Sequence, residues 1–576
     1  MTRYLVTSAL PYANGPIHFG HIAGAYLPAD IYTRYLKMVH GSDNVLYVCG
    51  TDEYGVAITI KAESEGNDYE NYVGRWHNEI KTLFERFGIE FNVFSGTSRC
   101  KYHEATSQKF FKNLLDNGFV FKRSEKQWYS TKSERFLPDR YLQGECPECG
   151  FNEARGDECP KCGLWIDPLQ FKDPISIIDQ SSPVLKETTH WYLDLPKLQK
   201  YGLDEWYQGE SDDHKIKGWK TNVNGHVQAM LKDLQPRPIT RDLPWGVPLP
   251  ESVSQNSGKV LYVWFDAHIG YISATMEWAE KQGNVNKWKE WWQNPETKLC
   301  HFIGKDNIAF HCVVFPAMLL GQNKSFDNKS FIMPWSVPAN EFYNLQGKKF
   351  STSNNWHIDN DSFFEKYNSD AARFHLTLSA PETSDSEFNW KEFQNTNNSL
   401  LADKLGNLLS RVIKFTQKRF NNQVPEATKI LDDPLLDQTR DEFKKIGEHI
   451  NKNELRKAAQ ALIQGCSNLN QFFDKQEPWK KIKSADEKDQ LECAQTIERC
   501  LAHFRILVKR FLPFCPISAI KINEMLGDIS ANLEEWGDDS CPELLPSQAA
   551  LGEAYVLFNK IEDDIVEAEI EALIKK

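Results

Sequence analysis

The stretch RYLVTSALPYANGPIHFGH, residues 3–21, decides the fold. Residues 3–10 have the apolar, β-branched composition of a buried strand, and a turn rich in proline, asparagine and glycine follows. A helical pattern continues through AGAYLPADIYTRYLKM, residues 23–38, in which Pro28 is expected to kink or restart the helix. The next strand is NVLYVCGTD, residues 44–52. This βαβ order predicts a parallel sheet that binds ligands at the carboxyl ends of its strands.

His18 and His21 lie three positions apart where this helix begins, so they share one helix face. They could form half of a metal site, a phosphate-facing pair, or two core histidines with local partners. The sequence suggests no further metal ligand nearby. A helix start presents free N–H groups and a partial positive charge, and imidazoles there can donate to phosphoryl oxygens in a transition state. The placement therefore favours the phosphate-facing pair.

Later segments extend this pattern into a split nucleotide-binding fold. LCHFIGKDN, residues 299–307, and SFIMPWSV, residues 330–337, are predicted as further strands of the same sheet, and the cysteine-rich segment before them is then an insertion. From about residue 391 the apolar spacing becomes helical, which predicts a bundle. Residues 554–576, AYVLFNKIEDDIVEAEIEALIKK, are predicted as one long amphipathic helix that packs back on the body.

Two short motifs, CPECG at residues 146–150 and CPKCG at residues 159–163, each place two cysteines in a turn. Four thiolates at this spacing can close a tetrahedron around Zn²⁺. The alternatives are paired disulfides, which a reducing compartment disfavours, or free thiols. Because four protein ligands leave no open coordination position, the zinc is expected to be structural, with the ligands Cys146, Cys149, Cys159 and Cys162.

The composition is typical of a soluble globular protein, with 576 residues of which 41% are hydrophobic and 26% charged. No apolar run reaches the roughly 18–20 residues that a bilayer span needs, so no membrane association is expected. The net charge of −13 argues against nonspecific binding to nucleic acid, although a local basic groove can still bind an RNA. Thirteen cysteines, most of them scattered, fit a reducing compartment, and a cytoplasmic protein is expected.

The segment HFGH, residues 18–21, resembles the HIGH signature of class I aminoacyl-tRNA synthetases. Together with GTDEYG (50–55), VWFDAHIGY (263–271), FIGKDNIAFH (302–311) and the cysteine knuckle, it resembles the methionyl-tRNA synthetase family in particular. The motifs occur in order over essentially the whole chain. The resemblance implies that ATP activates L-methionine as methionyl-adenylate with release of pyrophosphate. The methionyl group then passes to the 3′ end of methionine tRNA, initiator and elongator.

The resemblance also implies the residues of an ATP site. The ATP phosphates would be held while the methionine carboxylate attacks the α-phosphorus, and Asp306 would hold the ribose. Positioning and charge stabilisation carry such a transfer, so no general base is needed. The implied catalytic residues are His18, His21 and Lys349, and those for ATP, bound as Mg-ATP, are Asn14, Gly20, Gly304, Asp306, Lys348 and Thr352.

A methionine site has its own physical requirements. The thioether needs an apolar, aromatic pocket, since sulfur–aromatic contacts are favourable by about 0.3–1.5 kcal/mol, and the ammonium needs a carboxylate. The family pattern implies Asp52 for the ammonium and, for the pocket, Leu10, Tyr12, Trp264, Ala267, Tyr271 and His311. His268 stands where the family has proline, and Asn307 where many relatives have isoleucine. A more polar pocket rim is therefore expected.

The loop GKKFSTSNN, residues 347–355, departs further from the family. Class I enzymes carry a mobile KMSKS loop whose second lysine contacts the pyrophosphate side of the transition state, and here Thr352 replaces that lysine. A hydroxyl brings no charge, and a charge-assisted hydrogen bond is roughly twice as strong as a neutral one. Either Lys348 and Lys349 supply the cation, or Mg²⁺ neutralises more of the charge, or the chain is slow or inactive. The rest of the site favours the first two.

The helical region is expected to read the tRNA anticodon. Trp479 offers a stacking surface, and base–aromatic stacking contributes about 1–3 kcal/mol. Asn407 and Arg411 lie four apart on one helix face and can hydrogen-bond unstacked base edges. These three roles follow from the resemblance, since the residues taken alone fit an ordinary bundle surface.

The expected fold class is α/β, a split Rossmann-like doubly wound parallel sheet with a zinc-binding connective insertion, plus an all-α anticodon-binding bundle. Because the chain stops at Lys576, a monomer is expected. Two other hypotheses stay open: an RNA-binding relative that has lost activation, as Thr352 would suggest, and a zinc-stabilised interaction protein. The predicted domains are the catalytic halves 1–115 and 241–337, the insertion 116–240, the linking segment 338–390, the bundle 391–550 and the C-terminal helix 551–576.

Overall fold

A computed structural model describes most of the chain. Within the described residues, no helix is both long enough and apolar enough to cross a membrane. Thr352, predicted to contact ATP, lies outside them. The described residues are 2–156, 159, 161–162, 166–209, 219–254, 258–326, 328–351, 355–537 and 542–575.

The central sheet has six parallel strands drawn from two distant parts of the chain, as expected for a split fold. Val6 of the first strand is opposite Cys300 on one side and Tyr47 on the other, so the first strand joins the two parts. In spatial order the strands are Pro334–Ser336, Thr297–Gly304, Arg3–Ser8, Val45–Thr51 and Val93–Gly96, and Ala339–Asn340 pairs with the end of Thr297–Gly304.

Helices cover both faces of this sheet. Successive side chains of a strand point to opposite faces. Val6 therefore packs into the core that contains helix Leu27–His40, whereas its neighbour Leu5 packs into the core that contains helix Ile269–Lys281. The doubly wound architecture is confirmed.

The helix after the first strand restarts at Pro28, as predicted. It begins as Phe19–His21, passes through a π-helical turn at Ile22–Tyr26 and continues as Leu27–His40. Pro28 lies in the first turn of the last segment, directly after the π-helical turn, where the missing N–H of proline interrupts the regular hydrogen-bond pattern.

The remaining elements of the catalytic halves and the linking segment surround the sheet. The short strand Tyr343–Leu345 pairs in parallel with Ser386–Phe388. The helices are Ser42–Asn44, Val56–Ser64, Tyr69–Arg86, His103–Asp116, Glu251–Ser254, Val263–Asp266, Lys289–Trp292, Lys305–Asn307, Phe310–Val314, Phe315–Gly321, Asn360–Lys366 and Ser369–Leu378, and the strands Thr240–Arg241 and Val260–Leu261 form a small antiparallel pair.

The insertion is built on a long antiparallel pair, Val120–Ser130 with Val184–Leu193. Arg135–Phe136 and Arg237–Pro238 flank this pair, and the cysteine motifs lie beside a separate three-stranded sheet. That sheet consists of Leu142–Glu145, Ala154–Arg155 and Lys172–Ser176, and the helices of the insertion are Asp139–Tyr141, Pro168–Gln170, Leu195–Leu198, Gln199–Leu203, Asp204–Gln208 and Thr221–Leu231.

The C-terminal region is helical, as predicted. Its longest helix, Glu487–Phe511, is mostly buried. The other helices are Trp390–Asn395, Thr396–Gly406 (π-helical), Asn407–Arg419, Pro434–Asn451, Leu455–Gln476, Pro478–Lys481, Pro516–Leu526, Gly527–Ile529 and Asp563–Lys575.

The prediction of one helix over residues 554–576 is wrong, because only Asp563–Lys575 is helical. In residues 554–562, which precede this helix, backbone groups form hydrogen bonds with asparagine side chains of the bundle. Asn397 Nδ2 donates to the carbonyl of Asn559 at 2.7 Å, and the N–H of Ile561 donates to Asn398 Oδ1 at 2.9 Å. The helix itself does pack back on the body, as expected.

A buried arginine links the helix Leu27–His40, its own helix in the linking segment, and the helical region. Arg373, fully buried, donates to Asp30 Oδ2 at 2.7 Å and to the carbonyls of Pro513 and Phe514 at 2.8 Å. Arg34 also donates to Asp30 Oδ2, at 2.8 Å. Burial alone would raise the pKa of Asp30, but the two guanidinium groups hold it below its ordinary value.

Replacing Arg373 by methionine should destabilise the protein by about 3–5 kcal/mol, since it leaves buried acceptors without their donor. Thermal unfolding should show a clear loss. Lys81→Met is the control, because it removes the exposed pair with Glu85 at 3.9 Å and should cost less than about 1 kcal/mol. Equal losses in the two variants would contradict the assigned role of Arg373.

Candidate active site

A cavity of about 450 Å³ opens where the central strands end. Leu10 follows the first strand, Asp52 the second, and Gly304 closes the strand Thr297–Gly304. All three line the cavity, which therefore occupies the edge where parallel sheets bind ligands.

The cavity brings together nearly all residues predicted for catalysis, ATP and methionine. Lys348 is an exception, because its Nζ lies 4.3 Å from the Trp356 ring centre and away from the cavity. The predicted residues that line it are Leu10, Tyr12, Asn14, His18, Gly20, His21, Asp52, Trp264, Ala267, Tyr271, Gly304, Asp306, His311 and Lys349.

The two histidines cap the helix start reciprocally. The N–H of Gly20 donates to His18 Nδ1 at 3.1 Å, and the N–H of His18 donates to His21 Nδ1 at 3.1 Å. Each Nδ1 is therefore an acceptor, which assigns the ring proton to Nε2. Within the part of the chain that the structure describes, the Nε2–H groups of both rings are left to donate to a ligand.

Both imidazoles are neutral at physiological pH. Burial, and next the neighbouring His21, lower the pKa of His18 to about 2. The His21 side chain is exposed to the cavity. Desolvation by the surrounding protein nevertheless lowers the pKa of His21 as well. The pair therefore offers hydrogen bonds to an anion without carrying a fixed charge.

Gly20 is required by close packing. A Cβ at this position would lie 2.9 Å from the His18 ring and 3.0 Å from the carbonyl oxygen of Tyr343. The His18 ring also stacks on the Phe350 ring, with ring centres 4.5 Å apart. These contacts fix the orientation of the imidazole.

A tight turn separates the roles of the two adjacent lysines. Gln346 and Gly347 both have positive φ, 46° and 79°, and Leu345 and Lys348 exchange backbone hydrogen bonds across the turn. Beyond the turn Lys349 lines the cavity, whereas Lys348 does not.

The carboxyl group of Asp52 is buried and accepts few hydrogen bonds from the described residues. Its side chain is 2% exposed, and its one hydrogen bond from a described residue is a long one, 3.5 Å from the N–H of Tyr54. Burial, followed by repulsion from Asp266, raises the pKa of Asp52 well above its ordinary value. A cation bound beside it would reverse that shift.

An aromatic pocket forms the remaining wall. Trp264 stacks on Phe310 with ring centres 4.1 Å apart. His311 Nδ1 donates to the carbonyl of Asn307 at 3.1 Å, so its Nε2 accepts from the Tyr271 hydroxyl at 2.9 Å. This wall suits an apolar, polarisable side chain.

The sequence analysis missed several residues that line the cavity, among them the contiguous group Glu341, Phe342, Tyr343 and Asn344. They lie in the segment just before the loop 347–355, and Tyr343–Leu345 is a strand beside the cavity. The aromatic pair in EFYN, directly before a motif assigned to the site, is the signal that could have found them.

Two family models match this chain in sequence. The one described as tRNA synthetases class I (M) matches residues 4–413, and the anticodon binding domain of methionyl tRNA ligase matches residues 424–572. The chain belongs to the methionyl-tRNA synthetase family.

Individual relatives agree with this assignment. The methionine–tRNA ligase of Protochlamydia amoebophila is 42% identical, over 99% of this chain and 79% of that protein. The methionine–tRNA ligase of Chloroherpeton thalassium is 41% identical, over 99% and 81%. Mycobacterium tuberculosis methionyl-tRNA synthetase in complex with methionyl-adenylate has the same fold, with a TM-score of 0.76 and 23% identity over 97% of this chain and all of that one.

The cysteine knuckle of this family member is closed into a compact cluster. The four Sγ atoms lie within 4.8 Å of one another, with Cys146 to Cys162 at 3.8 Å and Cys149 to Cys159 at 3.6 Å. A tetrahedron with Zn–S bonds of about 2.3 Å has edges of about 3.8 Å. The cluster can therefore hold a metal ion of that size.

The three predicted anticodon residues lie in the bundle. Arg411 is 4.9 Å from the ring centre of Phe473 and 5.7 Å from that of Trp479, and it donates to Asp474 at 2.7 Å. Asn407 is exposed one turn earlier on the same helix. The structure thus places Arg411 beside Trp479.

Proposed function

We propose that this chain catalyses the ATP-dependent ligation of L-methionine to methionine tRNA, initiator and elongator, with AMP and pyrophosphate as the other products. One observation carries the proposal: a single cavity at the strand ends joins a neutral histidine pair, a buried carboxyl group and an aromatic pocket. These are the groups that a phosphate, an ammonium and a thioether require.

Methionine would occupy the aromatic side of the cavity. Asp52 would ionise beside the substrate ammonium, and the aromatic rings would surround the thioether. The proposed pocket residues are Leu10, Tyr12, Trp264, Ala267, Tyr271 and His311.

ATP, as Mg-ATP, would lie on the histidine side. Gly304 lets the Asp306 carboxylate come close, since a Cβ there would lie 2.6 Å from Asp306 Oδ1, and Asp306 would hold the ribose. The phosphates would contact the Nε2–H groups of His18 and His21, with Asn14 and Gly20 in the same loop.

In the first step a methionine carboxylate oxygen bonds to the α-phosphorus, and the bond to pyrophosphate breaks. Lys349 would place positive charge on the departing side, where Thr352 replaces the usual lysine. In the second step a ribose hydroxyl at the tRNA 3′ end, the 2′-OH in similar class I enzymes, attacks the carbonyl of the adenylate and releases AMP. Alignment and charge stabilisation supply the rate enhancement.

Away from the cavity we propose that Zn²⁺ is bound by Cys146, Cys149, Cys159 and Cys162 and stabilises the insertion. We also propose a cytoplasmic monomer, which sedimentation velocity would contradict by finding a dimer. The six domain ranges predicted from the sequence are retained as part of this proposal, with the last segment helical only from Asp563.

Methionine-dependent ATP–pyrophosphate exchange tests the activation step. His21→Ala and Lys349→Ala should each lower kcat by about 100-fold, as the loss of one transition-state donor does. Lys348→Ala is the matched control and should stay within about fivefold, since Lys348 points away from the cavity.

Equal losses in the two lysine variants would overturn the role given to Lys349. If the unmodified protein showed no exchange but bound tRNA, the RNA-binding hypothesis would replace the enzyme. If the unmodified protein bound neither ATP nor methionine in a thermal-shift assay, the hypothesis of a zinc-stabilised interaction protein would replace the enzyme.

Metal analysis of freshly purified protein should find about one equivalent of zinc. Cys149→Ser should lose most of it, because the tetrahedron then lacks a thiolate. Cys493→Ser, which changes a buried cysteine outside the cluster, should retain it. Less than half an equivalent in the unmodified protein would count against a zinc site.

Trp479→Ala should weaken tRNA charging through loss of a base-stacking surface. The expected fall in kcat/KM for tRNA is roughly 5- to 150-fold, the equivalent of about 1–3 kcal/mol. Exchange measured without tRNA on the same preparation is the internal control. A parallel fall of both activities would show that Trp479 supports the fold rather than the anticodon.

A further inference from the structure

Glu53 is a second buried carboxylate, next in the chain to Asp52 and just beyond the strand Val45–Thr51. Of the described residues that line the cavity, Asp52 is one and Glu53 is not. The two carboxyl groups also differ in their hydrogen bonds from the described residues. Asp52 accepts one long bond, whereas Glu53 accepts four that are between 2.5 and 3.0 Å long. Glu53 is therefore held in place, while Asp52 remains available to a ligand.

Most donors to Glu53 belong to the turn 97–99, which follows the strand Val93–Gly96. The N–H and the hydroxyl of Ser98 donate to Glu53 Oε2 at 3.0 and 2.5 Å. Arg99 Nε donates to Glu53 Oε1 at 2.6 Å. A Cβ on Gly96 would lie 2.6 Å from Glu53 Cδ, so this close approach requires glycine. The carboxylate of Glu53 thus fixes the turn 97–99.

The same turn returns a hydrogen bond to the backbone beside Asp52. The N–H of Glu53 donates to Thr97 Oγ1 at 2.9 Å. In the same peptide group the carbonyl of Asp52 accepts from the N–H of Ala13 at 2.9 Å, and the N–H of Asp52 donates to the carbonyl of Pro11 at 2.9 Å. The backbone of Asp52 is therefore held on one side by the loop after the first strand and on the other by the turn that Glu53 fixes.

The charge of Glu53 is balanced within the protein. The Arg99 guanidinium, which is partly exposed, forms the ion pair with Glu53 Oε1. His77 lies 3.6 Å from the same oxygen, but its imidazole is neutral at physiological pH, because burial, and next the charge of Arg99, lower its pKa to about 4. Glu53 therefore does not compete with Asp52 for a cation in the cavity.

We propose that Glu53 is a positioning residue for recognition of the substrate amino group. Its carboxylate holds the turn 97–99, and Thr97 of that turn fixes the peptide group from which the Asp52 side chain reaches the cavity. The inference rests on the proposed pairing of Asp52 with the substrate ammonium. Because Glu53 acts through Asp52, its loss weakens recognition of the ammonium and spares the rest of the substrate.

Titration calorimetry with three compounds tests this inference. L-Methionine and L-methioninol both carry the amino group, whereas the hydroxy analogue of methionine has a hydroxyl in its place. Glu53→Gln puts an amide N–H against the donors of the turn 97–99. It should raise the Kd of the two amino compounds about tenfold and that of the hydroxy analogue less than about twofold.

Thr97→Val tests the same connection without removing a charge, since it deletes the hydroxyl that accepts from the N–H of Glu53. It should give the same selective loss, again about tenfold. Thr97→Ser is the matched control, because it keeps the hydroxyl, and its Kd values should stay within about twofold. The Thr97 pair also provides the test if Glu53→Gln does not fold.

The comparison between compounds separates positioning from a general structural role. If a folded variant, Glu53→Gln or Thr97→Val, bound all three compounds equally weakly, or as tightly as the unmodified protein does, the inference would be overturned. Methionine binding and exchange by the unmodified protein would then still support the proposed function. Failure of the unmodified protein to bind methionine would overturn both.

Discussion

The buried contact between Asp30 and Arg373 holds together the parts of the chain on which the site depends. Asp30 belongs to the helix that begins at the histidine motif, and Arg373 belongs to a helix of the linking segment. Arg373 also donates to the carbonyls of residues 513 and 514 in the helical region. Charges buried this deeply are tolerated only when they are paired, so the contact strongly restricts how these segments can pack.

The site follows from that packing and from the direction of the strands. Parallel strands bring their carboxyl ends to one edge, which places Asp52 and Gly304 beside the start of the first helix although they are far apart in the chain. The reciprocal capping by His18 and His21 then leaves two Nε2–H donors for a phosphate. A neutral, hydrogen-bonding site of this kind suits a reaction whose barrier is lowered by alignment and charge stabilisation.

Much of the fold was predictable because its signals are local. The strand, turn and helix of residues 3–38 follow from composition, and Pro28 restarts the helix because of its own covalent structure. The spacing of the cysteines brings four thiols together within a short segment. Prediction failed over residues 554–562, where an apolar pattern suited a helix but the bundle side chains Asn397 and Asn398 bond the backbone instead.

By itself the sequence determined the order of elements, the two-part sheet, the metal-binding motif and the family, since each depends on neighbouring residues or on motifs in a fixed order. The tertiary structure alone decided that Lys349 enters the cavity while Lys348 turns away. It alone decided that His268 is buried in the wall of the cavity. The physical reason is that exposure and hydrogen bonding depend on segments that are distant in the chain and meet only when it folds.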